Sequence, residues 1–184
     1  MERLYRRVAR ARMVGISLLL TVLAFVVFAG FDRARPAGTP GVVALELAFS
    51  EEAFRRITTQ WGAEGVHAYR TSTIYIDYWF PIAYALLLSS LIAILTVTPG
   101  ETPSRRQVTC FALPFIAGLF DWVENTLHLV LLRDPSNLSA RLVLVASIAA
   151  AIKWGLVVLS ILFILYITLD NIRDRLMTTS DHVD

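Results

Sequence analysis

Residues 139–168 read SARLVLVASIAAAIKWGLVVLSILFILYIT, a run of thirty residues in which Arg141 and Lys153 are the only charges. About 20 apolar residues coiled as a helix cross the hydrocarbon core of a bilayer. Helix is the expected state there, because in lipid a chain must satisfy its own backbone polar groups. Working outward, three more stretches have the same character: 13–30, 72–98 and 108–132. The whole chain is 56% hydrophobic and 17% charged, with a mean hydropathy of +0.60, well above what the core of a soluble domain of this length demands. The expected fold is an all-α membrane protein, a single membrane domain over 1–184 built as a four-transmembrane-helix bundle. An extracytoplasmic amphipathic helix lies between its first two spans.

Charge sets the expected orientation. Arg3, Arg6, Arg7, Arg10 and Arg12 precede the first span, Arg105 and Arg106 fall in the second connection, and Arg173 and Arg175 follow the last. Basic residues favour the cytoplasmic side, which puts both termini in the cytoplasm. The five leading arginines and the apolar run after them could also suggest a cleavable leader, but the run is long and no small-x-small site closes it. Sixteen of the seventeen basic residues are arginine, a bias that fits a GC-rich bacterial genome and a multi-pass protein of the inner membrane. A net charge of +2 says little about partners, and the basic N-terminal tail marks topology and anionic lipid headgroups more often than nucleic acid.

The first connection, 31–71, is long for a loop between bundle helices. Val43, Leu45, Leu47 and Phe49 alternate with other residues there, which predicts a strand or extended segment. A helix should follow, capped by Ser50, with Glu51 and Glu52 in its first turn, Phe54, Ile57 and Trp61 on one face, and Gly62 as its stop. Trp61 is expected at headgroup depth. Pro81 is expected to bend the second span, and short turns at Thr98-Pro99-Gly100 and Arg133–Asn137 make neighbouring spans antiparallel.

The third span carries the candidate chemistry. Asp121, Glu124, Asn125 and His128 stand at i, i+3, i+4 and i+7, so they share one helical face. Ionisable groups inside a membrane are costly and face the bundle interior. Lys153, the only lysine, falls at a similar depth to Asp121 when residues are counted from the cytoplasmic ends of two antiparallel helices. Asp77 falls at the depth of His128. The predicted site is an outward-facing polar pocket, with Asp121 and Lys153 at its floor and Glu124 and Asn125 above them. Asp77, His128 and Arg70 form its mouth, and Tyr78 and Trp122 are among its aromatic walls. Glu124, Asp121 and His128 are the candidates for acid–base work. Asp77, Asn125, Lys153, Arg70, Tyr78 and Trp122 are the candidates for holding a ligand.

Familiar chemistries lack their residues. Cys110 is the only cysteine, so there is neither an intrachain disulfide nor a CxxC pair. A single histidine in the spans disfavours haem held by two histidines and a three-histidine zinc site. No phosphate loop, HExxH or GxSxG occurs. No cofactor and no metal are expected, although Asp77, Asp121, Glu124 and His128 could form a metal site if the bundle brought them together.

Leu45-Glu46-Leu47-Ala48, Gln60-Trp61-Gly62, Asp77 to Tyr84 (DYWFPIAY), Asp121-Trp122-Val123-Glu124-Asn125 and Ile152-Lys153 together resemble a group of uncharacterised small bacterial four-span membrane proteins. The resemblance implies a fold and a shared polar site, and supplies no activity. Three readings stay open. The first is a pocket that binds a small molecule or lipid, in a protein that serves as an accessory and assembles as a homo-oligomer or with a partner membrane protein. The second is a membrane-embedded acid–base enzyme, an isomerase or hydrolase acting on lipid, and the third is a proton-coupled transporter. A buried Asp121–Lys153 pair that merely fixes which helices are neighbours competes with all of them.

Overall fold

The computed structural model describes residues 2–98, 101–135 and 137–180. Pro99, Gly100 and Ser136, which belong to the expected turns, lie outside the described residues. Seven α-helices occur among the described residues: α1 (Glu2–Val8), α2 (Ala11–Asp32), α3 (Val42–Glu46), α4 (Glu51–Ser72), α5 (Phe80–Thr96), α6 (Arg105–Leu131) and α7 (Ala140–Ser180). A π-helical turn, Thr73–Asp77, joins α4 to α5. No strand occurs among the described residues.

α2 is built inside out. Its buried residues are Ser17 and Thr21, whose hydroxyls donate back to Met13 O at 2.7 Å and Ser17 O at 2.8 Å. Leu19, Leu23, Phe25 and Val26 are exposed. Water would punish that arrangement, whereas lipid rewards it, because hydrocarbon takes the apolar face and the small polar residues allow close approach to a neighbouring helix. α2 packs on α5, with Phe25 and Phe28 edge-on to Phe80 at 5.3 and 5.4 Å between ring centres.

Two helices, α2 and the segment Ala140–Arg173 of α7, are long and apolar enough to cross a membrane. A third crossing results if Glu51–Asp77 and Phe80–Thr96, bent by 49° at their junction, count as one. α6 has 27 residues, about 40 Å of helix, so it falls outside this group by composition and not by length. It packs along α7 on one side and α5 on the other. An ideal Cβ on Gly118 would lie 3.3 Å from Pro81 Cβ, so this glycine sets how closely α5 and α6 approach.

Pro81 does not bend a continuous span. It sits in the first turn of α5, where its missing N–H has no helical partner to lose. The bend is made before it, by the π-turn and Tyr78-Trp79.

The long connection departs from expectation in three ways. Residues 42–46 are helical and not a strand, with Leu45 and Glu46 both buried. A strand would have turned these neighbours to opposite faces. Ser50 does cap α4, accepting from Ala53 N at 3.2 Å, and Phe54, Ile57 and Trp61 do share a buried face. Gly62 interrupts α4 at φ 68°, ψ −177°, a conformation confined almost wholly to glycine. The helix then resumes and runs on to Ser72. Trp61 is not at a surface. It is enclosed, donates from Nε1 to Pro40 O at 2.7 Å, and lies 5.1 Å under the Arg35 guanidinium.

Trp61, Leu45, Phe54 and Tyr69 form one core with Leu131, Leu132 and Val143, so the connection is clamped onto the α6–α7 end of the molecule. At the opposite end, α1 docks through Tyr5 and Val8 on Ile92, Ala93 and Phe111. The Tyr5 hydroxyl lies 2.5 Å from Thr96 Oγ1, and Arg6 donates to Glu101 O. The arginine-rich leader is therefore also a packed element.

Candidate functional site

Lys153 is the centre of the candidate site. Its ammonium lies 2.7 Å from Glu124 Oε2, 3.4 Å from Glu46 Oε1 and 3.5 Å from Asp121 Oδ1. All four residues are at most 5% exposed. They come from three elements: Glu46 from α3, Asp121 and Glu124 from α6, and Lys153 from α7. The helical spacing that put Asp121 and Glu124 on one face, and the depth count that set Lys153 opposite, describe this geometry well.

Glu46 is the residue that sequence reasoning missed as part of the site. Read as part of a strand or extended segment, it had no reason to meet a lysine more than a hundred positions away. α3 turns it inward, and Trp154 Nε1 donates to its Oε2 at 2.7 Å. The available signal was a lone acid between Leu45 and Leu47, inside one of the short motifs that carry the family resemblance.

Further polar groups hold the cluster. The Tyr84 hydroxyl donates to Asp121 Oδ2 at 3.1 Å. Asn125 Nδ2 lies 3.2 Å from both Asp121 Oδ1 and the Asp77 carbonyl, tying α6 to the π-turn. Glu124, although close to Lys153, is off hydrogen-bond angle, and neither of its enclosed oxygens has a hydrogen-bond partner among the described residues. Three carboxyls, those of Glu46, Asp121 and Glu124, thus gather around one ammonium, and Asp77 lines the same cavity. In a low-dielectric interior such an excess of like charge is expensive unless protons or a cation offset it.

The cluster forms one end of a cavity of about 400 Å³. Glu46, Asp77, Asp121 and Lys153 line that end, with Tyr84 and Trp154 beside them. Phe25 and Phe28 of α2, Phe80, Leu87 and Leu88 of α5, and Val157 and Ile161 of α7 make the remaining walls. The sequence predicts a polar pocket, whereas the observed cavity is mainly apolar, its charge gathered in the Lys153 cluster and in the Asp32–Arg35 pair. Its α2 wall runs from Thr21 to Asp32, about 16 Å of helix rise. α2 packs on α5 and α4, and α7 on α6 and α5, but α2 and α7 scarcely meet. The cavity lies in the gap between them, and their flanking surfaces are apolar and exposed.

The other candidates lie outside the cavity wall. His128 is enclosed, with Nδ1 2.7 Å from the Tyr69 hydroxyl and its ring against Phe54, so it joins α6 to α4. Tyr69, unlike His128, does line the cavity. Tyr78 and Trp122 engage each other, Trp122 Nε1 donating to Tyr78 O at 2.9 Å, and the Tyr78 hydroxyl lies 2.8 Å from Thr126 Oγ1. Arg70 is partly buried, and its Nε has no hydrogen-bond partner among the described residues. Glu124 and Asn125 stand behind Lys153 and Asp121. Among the described residues, no three His, Cys, Asp or Glu side chains come together as a set of metal ligands, and Asp77, Asp121, Glu124 and His128 do not do so.

No protein-family model, curated protein or solved structure matches this chain.

Proposed function

We propose that this protein is a four-span membrane protein with cytoplasmic termini, and that it binds an amphipathic small molecule or lipid in the cavity between α2, α5 and α7. One observation carries the reading: a cavity of about 400 Å³ whose walls are mainly apolar and include a buried cluster of charged groups. That volume and composition are those of a small-ligand site, in which apolar walls hold a tail and a few polar groups orient a head.

The inverted polarity of α2 and its weak meeting with α7 support entry from the side, out of the hydrocarbon, so that a ligand need not cross water. In this topology α2, the bent α4–α5 pair, α6 and α7 are the four crossings. The α3–α4 connection covers the cavity on the extracytoplasmic side, where Val42, Val43 and Glu46 of α3 close it.

An acid–base enzyme acting on the same ligand is the second reading. It is favoured by Asp121, whose carboxylate lines the cavity while bonded to Tyr84 and close to Lys153. Native mass spectrometry of the gently extracted full chain tests the first reading. A stoichiometric lipid or metabolite is expected, reduced when the cavity is filled by Leu88→Trp. A bare chain from several extraction conditions would refute it.

A further inference from the structure

We infer that the ligand is a cationic amphiphile: an apolar chain bearing an amine or quaternary ammonium head that sits against Asp77. The inference rests on the cavity being a binding site, as proposed above, and adds the chemistry of the head.

The charge count within the cavity leads there. Three carboxylates, Glu46, Asp77 and Asp121, line its polar end, and Lys153 is the only ammonium among them. That ammonium is already engaged, within 3.5 Å of Glu124, Glu46 and Asp121, and 5.2 Å from the Trp154 ring centre. The other cation on the wall, Arg35, is held at the rim by Asp32 at 2.7 Å, by Pro40 O at 3.0 Å and by the face of Trp61. Neither is free to receive an anionic head.

Asp77 differs from its neighbours. It lies on the π-turn, where the chain bends, and its main-chain carbonyl accepts from Asn125 Nδ2 at 3.2 Å. No ion pair within 4 Å joins Asp77 to Lys153, so its carboxyl group lines the cavity without sharing in the pairing that holds the other three. A cationic head placed there would favour the ionised carboxylate and pair with it, whereas an anionic head would meet a cluster of acids with no unengaged cation.

The surrounding rings fit the same head. Phe80, Tyr84 and Trp154 line the cavity near its charged end, and ring faces attract ammonium groups, most strongly where water is excluded. From there the apolar wall continues past Phe25 and Phe28 on α2 and past Val157 and Ile161 on α7, which is room for a linear alkyl chain.

The test uses the full chain in neutral detergent and three probes with the same twelve-carbon tail: dodecyltrimethylammonium, dodecyl phosphate and dodecanol. Saturable one-to-one binding is measured by native mass spectrometry across a concentration series. The ammonium probe is expected to bind at least about tenfold tighter than the other two, the range in which specific recognition separates from tail partitioning. Asp77→Asn is expected to abolish that preference and leave dodecanol binding unchanged. Equal saturable binding of all three by the wild-type chain would overturn the cationic head while leaving the amphiphile cavity intact. Preference for the phosphate would also overturn it and make Lys153 the anchor. Saturable binding of none would overturn the cavity reading itself. The wild-type series decides between these outcomes even if Asp77→Asn fails to fold.

Discussion

Replacing Lys153 by methionine tests the physical reasoning most directly. The substitution keeps the length and apolar stem of the side chain and removes the one ammonium lying within 3.5 Å of three carboxylates on two other elements. Removing one member of a buried ion pair typically costs about 3–5 kcal/mol, because the partner is left charged and unsolvated. Glu124, at 0% exposure, has no access to water that would soften the loss, so Lys153→Met is expected to fall in that range. Glu124→Gln in the Lys153→Met background should then cost less than in the wild-type chain. A coupling of about 1–3 kcal/mol is expected for residues in direct contact. The assay is reversible unfolding of the purified chain in mixed micelles, titrated with a denaturing detergent and followed by circular dichroism. A single variant within about 1 kcal/mol of wild type, or strictly additive effects, would refute the claim that these charges hold one another in place.

Three smaller perturbations probe separate joints of the fold. Gly62→Ala forces a side chain onto a backbone at φ 68°, ψ −177°, and is expected to cost about 1–3 kcal/mol in the same unfolding assay; no loss would mean that α4 can straighten through this point. Trp154→Phe removes the Nε1 donor from Glu46 Oε2 and should cost about 1–3 kcal/mol, with faster amide exchange in α3 by hydrogen-exchange mass spectrometry, whereas unchanged exchange would mean that α3 is held without it. Ser104→Ala deletes the capping box formed with Gln107 and should lower stability by about 0.5–2 kcal/mol, and its exchange effect should stay within the first turn of α6.

Helical character, the apolar runs and the polar face of α6 were legible from the sequence because each is a property of local spacing. Asp121, Glu124, Asn125 and His128 repeat at helical period whatever surrounds them, and the depth of Lys153 follows from a fixed rise per residue. Glu46 was not legible in that way. Its position depends on a five-residue helix too short for periodicity to reveal, held by Leu45 in a core assembled with three other helices, α4, α6 and α7. The alternation of Val43, Leu45, Leu47 and Phe49 imitates a strand, and only tertiary packing overrules it. The cavity was misjudged for a related reason. Polar residues announce themselves in a sequence, while Phe25, Leu88 and Val157 look like any residues of an apolar span, so a void between them leaves no local mark.

The polar face of α6 bears on how the chain is made. In the proposed topology α6 emerges from the ribosome before α7, and Lys153 follows Asp121 by 32 positions. A lone aspartate at the middle of a helix raises the cost of insertion by about 2.5–3.5 kcal/mol, and α6 carries a glutamate, an asparagine and a histidine besides. α2, with no such burden at its centre, can partition into lipid alone. α6 cannot do so cheaply, and should wait at the translocon until α7 delivers its ammonium and the two enter as a hairpin. A nascent chain halted before Lys153 would then leave α6 outside the bilayer, so the same ion cluster that organises the finished protein also times its assembly.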